Sequence, residues 1–411
     1  MLINFSVKNF RSIRDYNTFS LLKRGHKNDI PENSFHTNGL SQNQELLKTS
    51  IIYGGNASGK SNLIRSIYTM QAIIKNKGVE NESVITLLNP FRLDNDSNKK
   101  PILFDAEFIV NNRRFRYGFE CTGRRIVSEW LFAQKQRMTL LFAREGNKFV
   151  KSSPDFSELI TWKKVIAETD LKLPEGALFL STAATMFSGG VCELVRKWFE
   201  DTLVVLSAET YQQYLGYTFE SIKDPKVLSQ ISSLISKADF GIQRLEANIT
   251  EKESKIPDKK EFVLQVATKH IVDGKTYDLD MFYNESAGTQ KIFSLSAPLI
   301  DVLKKGKVLF IDELDASLHP LLVCNILEMF HAENKNNAQM IITTHAITIF
   351  TESMLRFDQV WFAEKEKDGS SSFIPLSSFH GIRKNWGAIE KDYLHGCFGG
   401  IPSIKKLSWE D

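Results

Sequence analysis

The feature that most constrains this chain is the run Gly54-Gly55-Asn56-Ala57-Ser58-Gly59-Lys60-Ser61. It satisfies G-x-x-x-x-G-K-[ST] at every fixed position. Before it stands the short apolar run Ile51-Ile52-Tyr53; after it, Leu63, Ile64, Ile67, Met70 and Ile73 recur at helical spacing. Strand, glycine-rich turn and helix together make an anion cradle. The glycines let backbone N–H groups turn inward, and the helix N-terminus adds its dipole. Gly54 through Asn62 are therefore the expected phosphate-binding residues. Lys60 should reach the β- and γ-phosphates of a nucleoside triphosphate, and the Ser61 hydroxyl should ligate Mg²⁺.

A second element fits the first. Val308 to Ile311 is a buried-type apolar run that ends in Asp312-Glu313, and in a parallel sheet such carboxyl ends face the ligand. Asp312 suits Mg²⁺ coordination through a water, while Glu313 suits orienting or deprotonating an attacking water. Two further residue types fit anion chemistry. Ser286 opens an amphipathic segment, KIFSLSAPLIDVLKK, whose N-terminus would again offer free N–H groups. His345 ends the strand-like run QMIITT and would be a neutral donor. Both also have ordinary readings, as a helix N-cap and as a strand-end histidine.

The rest of the 411 residues set the frame. Positions 101–150 alternate with period two and contain Asn111-Asn112 between two runs, which predicts a tight hairpin. The spacing turns helical over about 155–245, and strands and helices return after about 262. The expected class is α/β, with a mixed central sheet, an antiparallel β-arm and a helical insertion. We divide the chain into 1–150 (phosphate loop and β-arm), 151–248 (mainly helical insertion) and 249–411 (acidic strand and His345). The stretch 251–261 reads as a hairpin tip or loop. Lys+Arg 52 against Asp+Glu 49 leaves a net charge of only +3, so no global polyanion-binding surface is expected. Four scattered cysteines without a CxxC pair argue against a disulfide framework or structural zinc. With no apolar leader and no run of about 18 apolar residues, the expectation is a soluble cytoplasmic protein with no membrane partner.

The order of phosphate loop, Ser-x-Gly at a helix start, acidic strand, Leu314-Asp315-Ala316-Ser317 and Thr344-His345 resembles the ATP-binding cassette and SMC-like head ATPases. The resemblance implies a P-loop NTPase of ABC/SMC-head type that binds ATP and Mg²⁺ and hydrolyses ATP between two head-to-tail copies. In that frame Lys60, Glu313 and His345 are catalytic, and Ser61 and Asp312 hold the metal. Ser286 and Gly288 touch the γ-phosphate held by the other copy, and Asp315 belongs to the Asp loop. The opening VKNFRSI and the segments EFIVNNRRFRYGFE, KADFGI, NESAGTQKIFSL, FIDELDASLHPLL and DYLHGCFGGIP are similar to a narrower group. These are the ABC/SMC-like AAA ATPases of bacterial abortive infection and phage defence (AbiL/RloA type, related to the OLD family).

This resemblance implies a separate effector, a TOPRIM-like nuclease, because the 66 residues from Ala346 to Asp411 are short for a nuclease domain and carry no carboxylate cluster for two metals. DNA or a phage-derived trigger is a further partner class, and a homodimer or higher even oligomer is expected. No glutamine is assigned to a Q-loop. Arg11 reads equally as a phosphate contact and as a surface arginine. Arg113, Arg114, Arg116, Arg124 and Arg125, interleaved with Phe115, Tyr117 and Phe119, read either as a phosphate-tracking patch or as a solvated strand face. Two other functions stay open: a DNA-repair or chromosome-maintenance head acting on DNA, and a nucleotide-dependent scaffold that needs no turnover.

Overall fold

The computed structural model describes residues 1–25, 30–134, 136–169, 171–239, 241–253, 260–350, 354–381 and 385–399; side chains at 249–253 and 260–264 are not included. Two sheets sandwich the phosphate-loop helix, Lys60–Lys75. One is a six-stranded sheet in the order Leu203–Leu206, Val308–Ile311, Gln339–Thr343, Thr49–Tyr53, Val360–Lys365, Ser371–Pro375. Its first five strands run parallel and the last is antiparallel, so the sheet is mixed as expected.

Alternation explains how that sheet is buried on both faces. Ile52, Phe310 and Ile341 point to the side of the phosphate-loop helix, where Ile64, Ile67 and Met70 wait. Ile51, Tyr53, Leu309, Ile311, Met340 and Ile342 point the other way. There they meet Leu295 and Leu299 of the helix Ala287–Lys305 and Val323, Leu327 and Phe330 of the helix Pro320–Glu333.

The other layer is a seven-stranded antiparallel sheet, in which the opening strand Leu2–Lys8 pairs with Ile102–Val110 and so joins the 101–150 meander. Val110 faces Arg113 across the expected two-residue turn. Asn111 and Asn112 take φ of 49° and 57° there, the left-handed pair a tight hairpin requires.

The stretch 151–248 carries helices such as Ser157–Thr169, Tyr211–Ser221 and Pro225–Ala238. It also carries the strand Leu203–Leu206, at the rim of the parallel sheet. Its outward carbonyls are taken: Gln71 Nε2 donates to Leu203 O at 2.7 Å, and Thr210 Oγ1 to Val205 O at 2.9 Å. Ile242–Glu253, Lys260–Val272 and Lys275–Asp280 make a small third sheet. The strands flank the 251–261 stretch and pair as far as Glu253 and Lys260; residues 254–259 lie outside the described residues.

All four cysteines are free thiols. Among the described residues, no helix is long and apolar enough to cross a membrane.

Burial makes one histidine a pH-dependent stability element. His331 Nε2 meets Thr49 Oγ1 at 2.8 Å, and burial, with Lys48 nearby, lowers its pKa to about 4. Between the ordinary value near 6.5 and about 4, the unfolded chain binds the proton and the folded chain does not. Stability is therefore complete above pH 6.5 and is lost as pH falls toward 4, by about 3 kcal/mol in full. Unfolding free energies from urea titrations at pH 7 and pH 4.5 should differ by about 2–3 kcal/mol more in the natural protein than in His331→Gln.

Candidate functional site

The phosphate loop leaves its buried strand at Tyr53 and enters the helix at Lys60. Gly59 sits at φ 107° with the Ser371 side chain against its α-carbon, so no larger residue fits either its backbone or its space. Ser371 Oγ in turn meets Ser12 Oγ at 2.7 Å, and Asn62 Nδ2 donates to Ser12 Oγ at 2.7 Å. The opening segment and the antiparallel edge strand thus brace the loop from outside.

A cavity of 330 Å³ opens over the loop, lined by Asn56 to Asn62, Arg65, Glu313 and His345. Ser58 Oγ is buried beside it and has no hydrogen-bond partner among the described residues. Lys60 is folded back, its Nζ donating to the carbonyls of Gly54 at 2.7 Å and Gly55 at 3.1 Å. Burial lowers the pKa of Lys60, while Asp312, Glu313 and Asp315 work in the opposite direction. A cradle of this size with an orphaned hydroxyl and a buried cation fits the phosphates of a nucleotide.

The acidic strand delivers its carboxylates to the same place. Ser61 Oγ donates to Asp312 Oδ1 at 3.1 Å, and Thr343 Oγ1 donates to that same oxygen at 2.7 Å. Hydroxyl and carboxylate oxygens so placed are hard ligands suited to Mg²⁺, which takes its other ligands from phosphate and water. Among the described residues, no group of three or more His, Cys, Asp or Glu side chains could hold a metal ion.

Glu313 lines the cavity from an exposed position with φ 50°, a left-handed backbone that a glutamate rarely adopts. Its N–H donates to Thr343 Oγ1 at 2.7 Å, and its carbonyl accepts from Lys291 Nζ at 2.6 Å. His345 is exposed, yet desolvation by its surroundings first, then Lys60, lowers its pKa, which favours the neutral ring at pH 7. The His345 N–H donates to Asp315 Oδ2 at 3.0 Å, and Asp315 Oδ1 is buried with no partner among the described residues.

Lys60, Ser61, Asp312, Glu313 and His345 are therefore brought together within one chain. Ser286 and Gly288 are not among the residues lining the phosphate cavity. Ser286 caps the helix Ala287–Lys305, its Oγ accepting from Thr289 N at 3.2 Å. A β-carbon on Gly288 would lie 2.8 Å from Ser317 O, so this glycine lets the helix abut the loop after the acidic strand.

Arg11 is no free surface arginine. Its Nε is buried without a partner among the described residues, and burial and neighbouring Arg65 lower its pKa. The arginines of the 101–150 sheet resolve the other way. Arg114 pairs with Glu107 at 2.7 Å, Arg116 with Asp105 at 3.0 Å, Arg125 with Glu175 at 3.3 Å, and Arg124 with Glu82. Phe115, Tyr117 and Phe119 are fully buried beneath them, leaving a solvated, charge-paired strand face.

Sequence reasoning passed over three contributors. Thr343 joins Asp312 to the Glu313 amide, Lys291 holds the Glu313 carbonyl, and Ser207 ends the rim strand in a second cavity of 490 Å³ with Ser61, Arg65, Asp312 and Glu313. A hydroxyl two residues before His345 and a lysine five after Ser286 were the available signals.

Among solved structures, similar folds include an SMC head bound to the C-terminal winged-helix domain of ScpA (13% identity, TM-score 0.43, covering 91% of this chain and 96% of that one). Others are the SMC head domain from Thermotoga maritima (14%, TM-score 0.39, 91% and 98%) and an Smc head with an extended coiled coil, bound to the C-terminal domain of ScpA derived from Pyrococcus furiosus (14%, TM-score 0.41, 96% and 98%). No curated relative matches the sequence. The family described as "AAA domain, putative AbiEii toxin, Type IV TA system" matches residues 50–168 and 188–350. With the phosphate loop, the acidic strand and more than half its length inside that match, the chain belongs to this AAA-domain family, built around a phosphate loop on a parallel sheet.

Proposed function

We propose that this protein binds and hydrolyses ATP between two head-to-tail copies and uses that cycle to control a separate effector, a TOPRIM-like nuclease, in antiphage defence. The observation that carries the reading is an incomplete pocket. One chain supplies the loop with Ser61, the acid Glu313 and the histidine His345 around the cavity, but neither Ser286 nor Gly288 lines it. A second copy presenting Ser286 and Gly288 at a helix N-terminus would complete the anion site.

Mg²⁺, when held by Ser61 and Asp312, neutralises phosphate charge. Lys60 leaves its two carbonyl partners for the β- and γ-phosphates. Glu313 orients the attacking water and takes its proton, and neutral His345 donates to a γ-phosphate oxygen. The family's description as a toxin-type AAA domain, together with the segments resembling abortive-infection ATPases, supports the defence setting. Pairing of four of the five strand-face arginines with carboxylates weighs against direct tracking along DNA.

Specific activity should rise with protein concentration through the range where copies pair, and Ser286→Ala should lower turnover about 100-fold. Turnover strictly proportional to enzyme and untouched by Ser286→Ala would refute the shared pocket. For the effector, the product of the adjacent reading frame should co-purify with this protein and cut DNA only when ATP is present. A nuclease indifferent to ATP and to this protein would refute the control.

A further inference from the structure

We propose that Lys291 is a positioning residue: from the helix that serves the partner's nucleotide, it fixes the backbone of Glu313, the acid that serves its own. The inference rests on the head-to-tail reading of Ser286. One helix, Ala287–Lys305, carries both contacts, with Ser286 at its N-cap and Lys291 in its second turn. Lys291 Nζ reaches the Glu313 carbonyl at 2.6 Å while Thr343 Oγ1 accepts from the Glu313 N–H at 2.7 Å.

These two bonds, with the Ala316 N–H donating to the same carbonyl at 3.1 Å, pin both ends of a residue that needs pinning. Glu313 is exposed, so packing does not hold it, and its φ of 50° is a conformation that relaxes when unsupported. The carboxylate direction follows from that backbone, and Glu313 lines both the phosphate cavity and the cavity shared with Lys291.

Lys291→Met keeps the stem and removes the donor. It should lower turnover about tenfold or more, with half-saturating ATP unchanged within about twofold, and Lys291→Arg should recover most of the loss. A purely structural lysine would instead shift the melting temperature or ATP affinity.

Mixing chains before ATP is added tests the wiring. In a dimer of one Ser286→Ala chain and one Lys291→Met chain, both lesions fall on the same nucleotide, and the other site is intact. An equal mixture should recover roughly a quarter of natural turnover, because half the dimers are mixed and each keeps one working site. Ser286→Ala mixed with Glu313→Gln must recover likewise. Failure of that control pair overturns the head-to-tail reading, leaving the turnover-against-affinity split to judge Lys291. Recovery in the control without recovery in the Lys291→Met pair overturns the positioning role alone, as does natural turnover in Lys291→Met.

Discussion

Lys60→Ala should abolish measurable ATP binding while leaving the chain folded. The Lys60 ammonium is buried in a cavity whose other charges near it are the carboxylates of Asp312, Glu313 and Asp315. Without it, the triphosphate would face those carboxylates with no buried cation in the loop. Two or more charge-assisted hydrogen bonds at about 1.5–3 kcal/mol each are lost, a weakening of at least about 100-fold. The helix does not depend on the lysine side chain, since Leu63, Ile64, Ile67 and Met70 anchor it in the shared core. Titration with a fluorescent ATP analogue, alongside a thermal melt, separates the two. Binding retained within tenfold would mean that the cavity is not the phosphate site.

Glu313→Gln should have the opposite profile, with ATP bound and turnover reduced about 100- to 1,000-fold. The hydrogen bonds at this residue, from Lys291 and Ala316 and to Thr343, all involve its backbone. Glutamine keeps them and removes only the base. With hydrolysis blocked, the ATP-bound pair has no route apart except nucleotide release, so sedimentation with ATP and Mg²⁺ should show a stable dimer. A variant that binds ATP yet sediments as a monomer would count decisively against two copies closing around nucleotide. Full function in the cell with turnover abolished would favour the nucleotide-dependent scaffold instead.

The parts of this site legible in the sequence are those whose chemistry is local. Gly54 to Ser61 needs a strand, a turn and a helix in succession, and all three are encoded within about 25 residues. Asp312-Glu313 is readable because an apolar run of four residues buried on both faces must end at the ligand side. Asn111-Asn112 announced its turn for the same reason. What was not legible depends on placement across the chain. The strand Leu203–Leu206 sits directly after helical turns ending at Thr202, where a four-residue apolar run is indistinguishable by period from more helix. Lys291 looked like one more polar residue on an amphipathic helix, and only the packing of that helix beside the acidic strand turns it toward the Glu313 carbonyl. The arginines stayed open between two readings for the converse reason, since their carboxylate partners are remote from them in sequence.

The capped rim of the parallel sheet limits how copies can assemble. With the outer carbonyls of Leu203 and Val205 already occupied by Gln71 and Thr210, and the opposite border ending in Pro375, neither margin offers a run of free amides and carbonyls to a neighbouring strand. Strand-to-strand extension of this parallel sheet from one copy to the next is thereby disfavoured.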